Sequence, residues 1–215
     1  MKRLTLVITA LIAISAISAA HAQEFIFDAK AGVARAKDPA KLGFNANIET
    51  GVGVNPYLAL LVIPGFTWFS WDKGTGITKT EGPIQSELKA NIDAYCYPVF
   101  GAAKIRIPDL KESIGIEPYV TVGAGYMWMR YKYSSPAYTD TSGTAHPSSS
   151  ISSTYKGFAW QAVAGFGYKL PDTSMSLILE GGYRGAKLKK NSFEVDMSGF
   201  IASAGVSFSL SGNND

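Results

Sequence analysis

Residues that could carry out catalysis or bind a metal are scarce in this sequence. It contains two histidines and one cysteine, Cys96, and His21 lies in a segment that we expect to be removed. His146 is then the remaining candidate base, which together with a serine and an acid could hydrolyse an ester. It lies in "SGTAHPSSS", directly before Pro147, where no regular element would hold its ring. The sequence therefore predicts no catalytic, cofactor-binding or metal site, and no enzyme.

Charged residues alternate with apolar ones in several segments. In "SELKANIDA" (86–94), polar and apolar residues take strict turns. The residue types favour a helix, but a period of two is typical of a β-strand with one polar and one apolar face. The same alternation occurs in "FNANIETGVGVN" (44–55), whose glycines also disfavour a helix. The alternation therefore indicates strands.

Eight such segments follow one another, and they are long. A strand in a globular protein has about 5–6 residues, whereas a strand that crosses an outer membrane needs about 9–11. The connections after the odd-numbered strands are generally the longer and more polar ones, as at the outer end of a membrane barrel. The pattern predicts an all-β fold, an eight-stranded antiparallel up-and-down transmembrane β-barrel, with strands at 25–36, 44–55, 57–71, 87–106, 116–133, 154–169, 176–186 and 197–210.

The N-terminus has the features of a secretory signal peptide. Lys2 and Arg3 precede an apolar run that ends in Ala20-His21-Ala22, a small-residue cleavage pattern. Residues 1–22 are therefore predicted to be a signal peptide and residues 23–215 a single outer-membrane barrel domain. The whole chain has 20 basic and 17 acidic residues. Because two of the basic residues lie in the signal, the mature chain is nearly neutral and has no basic surface for nucleic acid.

An alternating pattern does not by itself say which face lies inside the barrel. A soluble lipocalin-like barrel would have a polar exterior, but the polar face here is rich in glycine, which favours a narrow lumen. Side chains can fill an eight-stranded barrel, and charges in so confined a space must be paired. They would form a polar plug or, alternatively, line a narrow gated ion path. The predicted lumen network is Asp28, Lys30, Glu49, Glu87, Lys89, Asp93, Glu180 and Arg184.

Aromatic residues lie near both ends of the apolar faces, as expected for residues at the two membrane interfaces. Cys96 is predicted to face lipid as a small packing residue. Three lysines near the outer rim, Lys187, Lys189 and Lys190, are candidate contacts for lipopolysaccharide phosphates or ordinary solvated charges. The predicted girdles are Trp68, Trp128, Phe158 and Trp160 at the outer interface and Tyr57, Phe100, Tyr119, Tyr168 and Phe208 at the inner one.

Three passages resemble the small outer-membrane β-barrel proteins of the OmpX and OmpA-barrel kind. "VFGAAKIRI" (99–107) followed by "IEPYVTVGAGYMW" (116–128) resembles a strand–turn–strand of that family. "LILEGGYRGAKL" (177–188) is similar to its penultimate strand, in which the positions of Glu180 and Arg184 usually point inward. The resemblance implies the same barrel and an outer-membrane location.

The third passage, "SGFIASAGVSFSL" (198–210), resembles the closing strand that the outer-membrane assembly machinery recognises. In this family the strand typically finishes on a terminal phenylalanine, whereas here five further residues follow Leu210. The resemblance implies an assembly signal formed by Ser203, Gly205, Phe208 and Leu210.

The resulting functional prediction is a non-enzymatic integral outer-membrane protein. Its role would be structural or would depend on surface interactions through the extracellular loops, among which 134–153 is rich in Ser, Thr and Tyr. The alternatives are a narrow pore or conduit for small solutes or hydrophobic molecules, and a lipid A-modifying enzyme. The predicted partners are outer-membrane lipid and lipopolysaccharide, the assembly machinery, and host or phage surface molecules, without nucleic acid.

Overall fold

The chain is almost entirely β-strand. The structure, a computed structural model, describes residues 24–81, 84–140 and 142–211, so the predicted signal peptide lies outside the described residues. The elements are β1 (Glu24–Ala36), β2 (Leu42–Asn55), β3 (Leu58–Glu81), β4 (Ile84–Arg106), α1 (Asp109–Ile114), β5 (Ile116–Ser135), β6 (Tyr138–Thr139), β7 (Ala145–His146), β8 (Ser149–Lys169), β9 (Met175–Lys190), β10 (Phe193–Asp196) and β11 (Gly199–Ser211).

Eight of these strands form a closed antiparallel ring. Hydrogen-bonded neighbours follow the order β9-β11-β1-β2-β3-β4-β5-β8, and β8 pairs with β9 to close the ring. Strands β1 and β11, from the two ends of the described chain, pair from Glu24–Ser211 to Ala36–Gly199. The predicted eight-stranded antiparallel up-and-down barrel is thereby confirmed.

Both described chain ends lie at the same end of the barrel, which we call the near end. The connections at the near end are short. Between β2 and β3, the Asn55 side-chain oxygen accepts hydrogen bonds from the backbone N–H groups of Tyr57 at 2.9 Å and Leu58 at 2.8 Å, an Asx turn. The connection between β4 and β5 contains α1, and that between β8 and β9 spans residues 170–174. The opposite end, the far end, contains the longer excursions.

Four neighbouring strands are much longer than the other four. β3, β4, β5 and β8 have 24, 23, 20 and 21 residues, whereas β1, β2, β9 and β11 have 13 to 16. β3 pairs with β2 only as far as Trp68 but with β4 as far as Glu81. Beyond the far end of the ring, 69–81, 84–92, 131–135 and 149–155 therefore continue as an open sheet, which we call the protruding sheet.

The protruding sheet corrects the predicted far-end loops. Much of 72–86 and of 134–153 is strand rather than loop. Strand β3 beyond Trp71 reads "DKGTGITKTE", which has no apolar face. Backbone pairing to β4 extends these residues without the alternation that a membrane or a core imposes.

The outer and inner faces of the ring differ in chemistry. Large apolar side chains such as Val33, Phe44, Val122 and Phe158 are exposed on the outside, as on a surface that faces lipid. Inside, charged and polar side chains are mixed with aliphatic ones toward the near end, and the far end is apolar. Among the far-end residues that face inward are Ala36, Phe69, Leu88, Ile92, Ala94, Met129 and Leu188.

Three residues predicted to face lipid lie inside instead. Cys96, Phe100 and Tyr119 are almost fully buried in the lumen, so Phe100 and Tyr119 are not part of an inner girdle. Tyr57 and Tyr168 are exposed on the outer face toward the near end, and Trp68, Phe158 and Trp160 toward the far end. The girdles are therefore present, with fewer members than predicted.

Candidate functional site

The lumen contains a network of acids and bases from four strands. The Lys30 ammonium on β1 donates hydrogen bonds to Glu49 on β2 and to Glu180 Oε2 on β9, the latter at 2.7 Å. Lys104 Nζ on β4 donates to Asp28 Oδ2 on β1 at 2.6 Å and to Glu49 Oε2 at 3.3 Å. All five side chains are buried. Each lysine therefore links two carboxylates that lie on two other strands of the barrel.

Tyr119 on β5 joins this network. Its hydroxyl donates to Glu180 Oε2 at 3.0 Å, and Lys104 Nζ lies 4.3 Å from the centre of its ring. The ring therefore stabilises the buried ammonium through a cation–π contact while the hydroxyl satisfies the carboxylate.

Arg184 lies in a separate layer of neutral partners, closer to the far end. Its guanidinium donates to Thr67 Oγ1 at 3.0 Å, to Gln161 Oε1 at 3.3 Å and to Asn45 Oδ1 at 3.4 Å. The guanidinium carbon lies 5.6 Å from the centre of the Phe100 ring. Hydroxyl, amide and aromatic groups thus hold this charge inside the barrel.

A third cluster closes the near end. Arg106 donates to Glu24 Oε2 at 2.6 Å and to the Asn55 carbonyl at 3.2 Å, and its Nε lies 3.7 Å from Glu117 Oε1. A cavity of about 40 Å³ lies between this cluster and Lys104. It has room for bound water, since one water needs about 10–15 Å³.

The structure brings five of the eight predicted lumen residues inside and leaves three outside. Asp28, Lys30, Glu49, Glu180 and Arg184 face the lumen and are buried. Glu87 and Lys89 are exposed and Asp93 is partly exposed on the outer face, which corrects the prediction for these three.

The contacts of two of these outer residues, Asp93 and Glu87, explain the correction. Asp93 accepts a hydrogen bond from the Trp68 indole at 3.2 Å, and Glu87 accepts one from the Gly76 N–H at 3.0 Å. Trp68 belongs to the outer girdle, so β4 beyond this level leaves the membrane. The outer face can then carry charge in water, and the apolar residues turn inward.

Sequence reasoning missed Lys104, Arg106 and Tyr119. A signal was present, because Lys104 and Arg106 alternate with Ile105 and Ile107 in the same way as the charges of β1. The sequence analysis assigned the apolar face of 86–94 to lipid. Because the faces of a strand alternate, this assignment reversed the inner and outer faces of β4 along its whole length, and both basic residues were overlooked.

His146 lies in the far-end connection between β5 and β8. Its Nε2 is 3.0 Å from Asp140 Oδ2, and the Tyr138 ring stacks on it with centres 4.6 Å apart. The Ser142 hydroxyl donates to Asp140 Oδ1 at 2.6 Å. Hydrogen bonds from Ser142, and then from His146, lower the pKa of Asp140 below its ordinary value. In a hydrolytic triad the serine hydroxyl contacts the imidazole, whereas here it contacts the acid. The arrangement therefore favours a set of contacts that stabilises the loop over a catalytic triad.

Each of the three lysines near the far rim has a polar partner. Lys189 Nζ lies 3.0 Å and Lys187 Nζ 3.8 Å from Glu194 across the β9–β10 hairpin. Lys190 donates to the Ser153 hydroxyl at 2.8 Å. Their lipopolysaccharide contact stays a prediction, with Glu194 offsetting part of the positive charge.

The predicted assembly signal lies on β11. Ser203 faces inward and accepts a hydrogen bond from the Asn45 amide at 3.3 Å. Phe208 packs against Phe27 with ring centres 6.4 Å apart, and Leu210 is exposed. Recognition of this strand by the assembly machinery stays a prediction.

Other site types find little support in the described ranges. Residues 24–81, 84–140 and 142–211 contain no group of three or more His, Cys, Asp or Glu that could hold a metal ion. No helix in these ranges is long and apolar enough to cross a membrane.

A closed barrel with an apolar exterior and paired charges inside is the structure of a membrane-spanning β-barrel protein. The profile of the outer membrane protein beta-barrel domain family matches residues 6–208. The chain therefore belongs to this family and is an outer-membrane protein. In such barrels the short turns are periplasmic and the long excursions extracellular, so the near end is periplasmic and the far end extracellular.

Solved structures of several outer-membrane proteins are similar. OprG from Pseudomonas aeruginosa has 13% identity and a TM-score of 0.52, covering 89% of this chain and 97% of its own. Neisserial surface protein A has 15% identity and a TM-score of 0.48, with 86% and 95% covered. Ail of Yersinia pestis, solved in complex with the heparin analogue sucrose octasulfate, has 14% identity and a TM-score of 0.44, with 87% and 97% covered. At such low identity, the likeness to OprG supports the fold alone. A search of the curated proteins found no significant match.

Proposed function

We propose that this protein is a non-enzymatic surface-interaction protein whose working part is the protruding sheet. The observation that carries this proposal is the asymmetry of the barrel wall. Strands β3, β4, β5 and β8 continue past the ring, whereas their neighbours β2 and β9 do not follow them. A structure that served only to span the membrane would not need this extension.

The two edges of the protruding sheet suit recognition of another protein. In the described residues, β3 has no pairing with β2 beyond Trp68, and β8 has none with β9 before Lys156. Unpaired edge strands present backbone N–H and C=O groups that can pair with a strand from a partner. The proposed partners are therefore proteins on a host cell, a phage or a neighbouring bacterium.

The outward face of the protruding sheet adds polar contacts. A groove of about 470 Å³ lies between Asp72, Lys89 and Asn91 on one side and the serines at 134–135 and 148–150 on the other. Hydroxyl, amide and charged groups can form hydrogen bonds to a polar partner in addition to edge pairing. Lys89 thus contributes to an outer surface rather than to the lumen.

Shortening the protruding sheet should weaken binding without harming the barrel. Gly74 and Lys89 are cross-strand partners, so replacing 75–88 with Asn-Gly joins them through a tight hairpin turn. Cells that produce this variant should adhere to host cells about tenfold less or worse, because a loss of about 1.4 kcal/mol in binding is a factor of ten. Adhesion and serum-survival assays in a strain without other adhesins measure this.

Ser192→Gly is the matched control. It places Asn-Gly at the tip of the β9–β10 hairpin, where Asn191 already has a positive φ of 54°, and leaves the protruding sheet intact. Both variants should keep the heat-modifiable gel mobility of a folded barrel. If the shortened variant is folded and adheres as well as the wild type, the proposed role is refuted.

The lumen contacts support a plugged barrel over a conducting one. Lys30, Lys104 and Arg184 each make at least two contacts across the lumen. We expect the wild-type protein to show no steady conductance in planar bilayers, because moving ions would have to break these buried contacts. Arg130→Ala, which removes an exposed arginine on the outer face, should be equally silent. A steady wild-type conductance that Arg184→Ala alters and Arg130→Ala does not would establish a pore instead.

A further inference from the structure

The extracellular half of the lumen contains an apolar cavity that the surface role does not use. Its volume is about 160 Å³, and apolar atoms form its wall. It lies beside Asp38 and Pro39, in the connection between β1 and β2. The residues that matter for its chemistry are Trp71, Ala94, Met129, Tyr131, Val195 and Met197.

The cavity is closed toward the periplasm. Two positions nearer to the near end on the same three strands lie Phe69, Cys96 and Met127, all buried. Residues two apart on a strand face the same side and are separated by about 7 Å, so these three form the next layer of the lumen. Together with Arg184, this layer borders a gap of about 10 Å³, no larger than one water molecule. The cavity is therefore a blind pocket above the plug.

Aromatic rings and thioethers form much of the wall. The Trp71 and Tyr131 rings meet edge to face, with centres 6.2 Å apart, and Tyr155 continues the cluster at 6.4 Å from Tyr131. Edge-to-face and offset contacts are the arrangements that aromatic rings prefer. Methionine sulfur also makes favourable contacts with aromatic rings, so Met129 and Met197 suit the same kind of ligand.

We propose that this cavity binds a small, uncharged, monocyclic aromatic molecule. Its volume is close to the roughly 150 Å³ of an engineered apolar cavity that binds benzene. A charged ligand is disfavoured because it would lose its hydration against a wall of apolar atoms, and Asp38 beside the cavity would also repel an anion. The nearest guanidinium, that of Arg184, is engaged by Thr67, Gln161 and Asn45 on the other side of the buried layer. Trp71 and Tyr131 lie at the base of the protruding sheet, but none of the residues 75–88, whose removal tests the surface role, lines this cavity.

The methionines give a direct readout of binding at this site. Residues 23–215 contain four, Met127, Met129, Met175 and Met197, and only Met129 and Met197 line the cavity. The experiment uses the full mature chain, labelled with ¹³C at the methionine methyls, in lipid nanodiscs, with benzene as the probe. Ring currents should shift the Met129 and Met197 methyl signals in a saturable manner and leave Met175, on the periplasmic part of β9, unchanged.

Filling the cavity should remove binding. Ala94→Leu places three more carbons in the cavity and should weaken benzene binding by about tenfold or more, since the added side chain occupies the space of the ring. Ala124→Leu, on the outward face of β5, is the matched control and should bind as the wild type does. Val195→Phe fills the cavity from the β9–β10 hairpin, should lose binding in the same way and replaces Ala94→Leu if that variant does not fold.

Two results would overturn the proposal. Equal shifts at all four methyls, or shifts that persist in the filled variants, would mean that benzene only partitions into the lipid. Binding of benzoate as tight as that of benzene would mean that the pocket takes anions, with Arg184 as the partner.

Discussion

Replacing Lys104 with methionine should lower the free energy of unfolding of the barrel by about 3–5 kcal/mol, the usual loss when one member of a buried ion pair is removed. The Lys104 ammonium contacts both Asp28 at 2.6 Å and Glu49 at 3.3 Å. Methionine keeps the length of the side chain and its packing but leaves two buried carboxylates with one fewer cation. Lys30 still contacts Glu49, so Asp28 is the carboxylate that loses its lysine partner.

Lys89→Met on the same strand is the control. Lys89 is exposed on the outer face of the protruding sheet, so we expect its replacement to change the stability by less than about 0.5 kcal/mol. Urea titration in lipid vesicles, followed by heat-modifiable gel mobility, measures both variants. A larger loss for Lys89→Met than for Lys104→Met would mean that β4 has the face assignment that its sequence alone suggests, with Lys89 inside and Lys104 outside.

A second substitution should recover part of the loss. Asp28→Asn in the Lys104→Met background removes the carboxylate that the first change leaves unpaired. The double variant should therefore be more stable than the sum of the two single losses predicts, because the two residues form one interaction. Strict additivity would contradict the direct contact between them.

The ring itself could be predicted from the sequence because lipid imposes a simple rule on it. Along β1 and β2 the outer face must be apolar and the narrow lumen must pair its charges, so alternation alone places Asp28, Lys30 and Glu49 on one face. The same rule fixes the number of strands and, within the ring itself, brings their ends close to those of the structure. The predicted strand 25–36 differs from β1 by one residue.

The rule fails where the strands leave the membrane. On β4 the inward positions are apolar from Leu88 to Cys96 and basic at Lys104 and Arg106, although the alternation never breaks. A period of two separates two faces but does not say which of them is inside, and the answer depends on what lies outside each stretch. The outer face of 86–94 is in contact with extracellular water and can carry charged side chains. The outer face of 99–106 is in contact with lipid and cannot.

The length of the protruding sheet was also beyond the reach of periodicity. It depends on backbone pairing between β3 and β4, which continues to Glu81 and Ile84 although β3 has no apolar face beyond Trp71. Hydrogen bonds between strands leave no signature in the side-chain pattern of a strand that has no apolar face, such as this part of β3. The apolar cavity was missed for a related reason, because its lining comes from several strands and from the β10–β11 connection, which only the closed ring brings together.

Replacing Gly125 with alanine should destabilise the barrel by about 3 kcal/mol or more, at the upper end of the usual cost of overpacking. Gly125 faces the lumen on β5, directly opposite Phe100 on β4. A Cβ atom there would collide with the carbonyl oxygen of Val99 and lie 2.9 Å from the Cα of Phe100. Both obstacles are backbone atoms of the neighbouring strand, so relief requires the two strands to separate and lose hydrogen bonds.

Gly101→Ala tests whether the effect comes from this close approach. Gly101 is one residue from Phe100 on β4 but faces outward, and a Cβ atom there would have nothing within 4 Å. Neither glycine is among the described residues with a positive φ, so both backbones can accept alanine. We expect Gly101→Ala to be neutral or to stabilise by about 0.4–1 kcal/mol through the unfolded chain. Unfolding in urea, measured as for Lys104, compares the two.

The contrast between the two glycines bears on how the plug is built. The space that Gly125 leaves free is bordered by Phe100, whose ring supports the Arg184 guanidinium. If strand separation is the cause, Gly125→Ala should also expose Arg184 and permit ion leakage in bilayers where the wild type is silent. A loss of stability without leakage would mean that the two strands separate while the polar layer around Arg184 stays in place. The lumen network, rather than the packing of the ring, would then be what blocks ions.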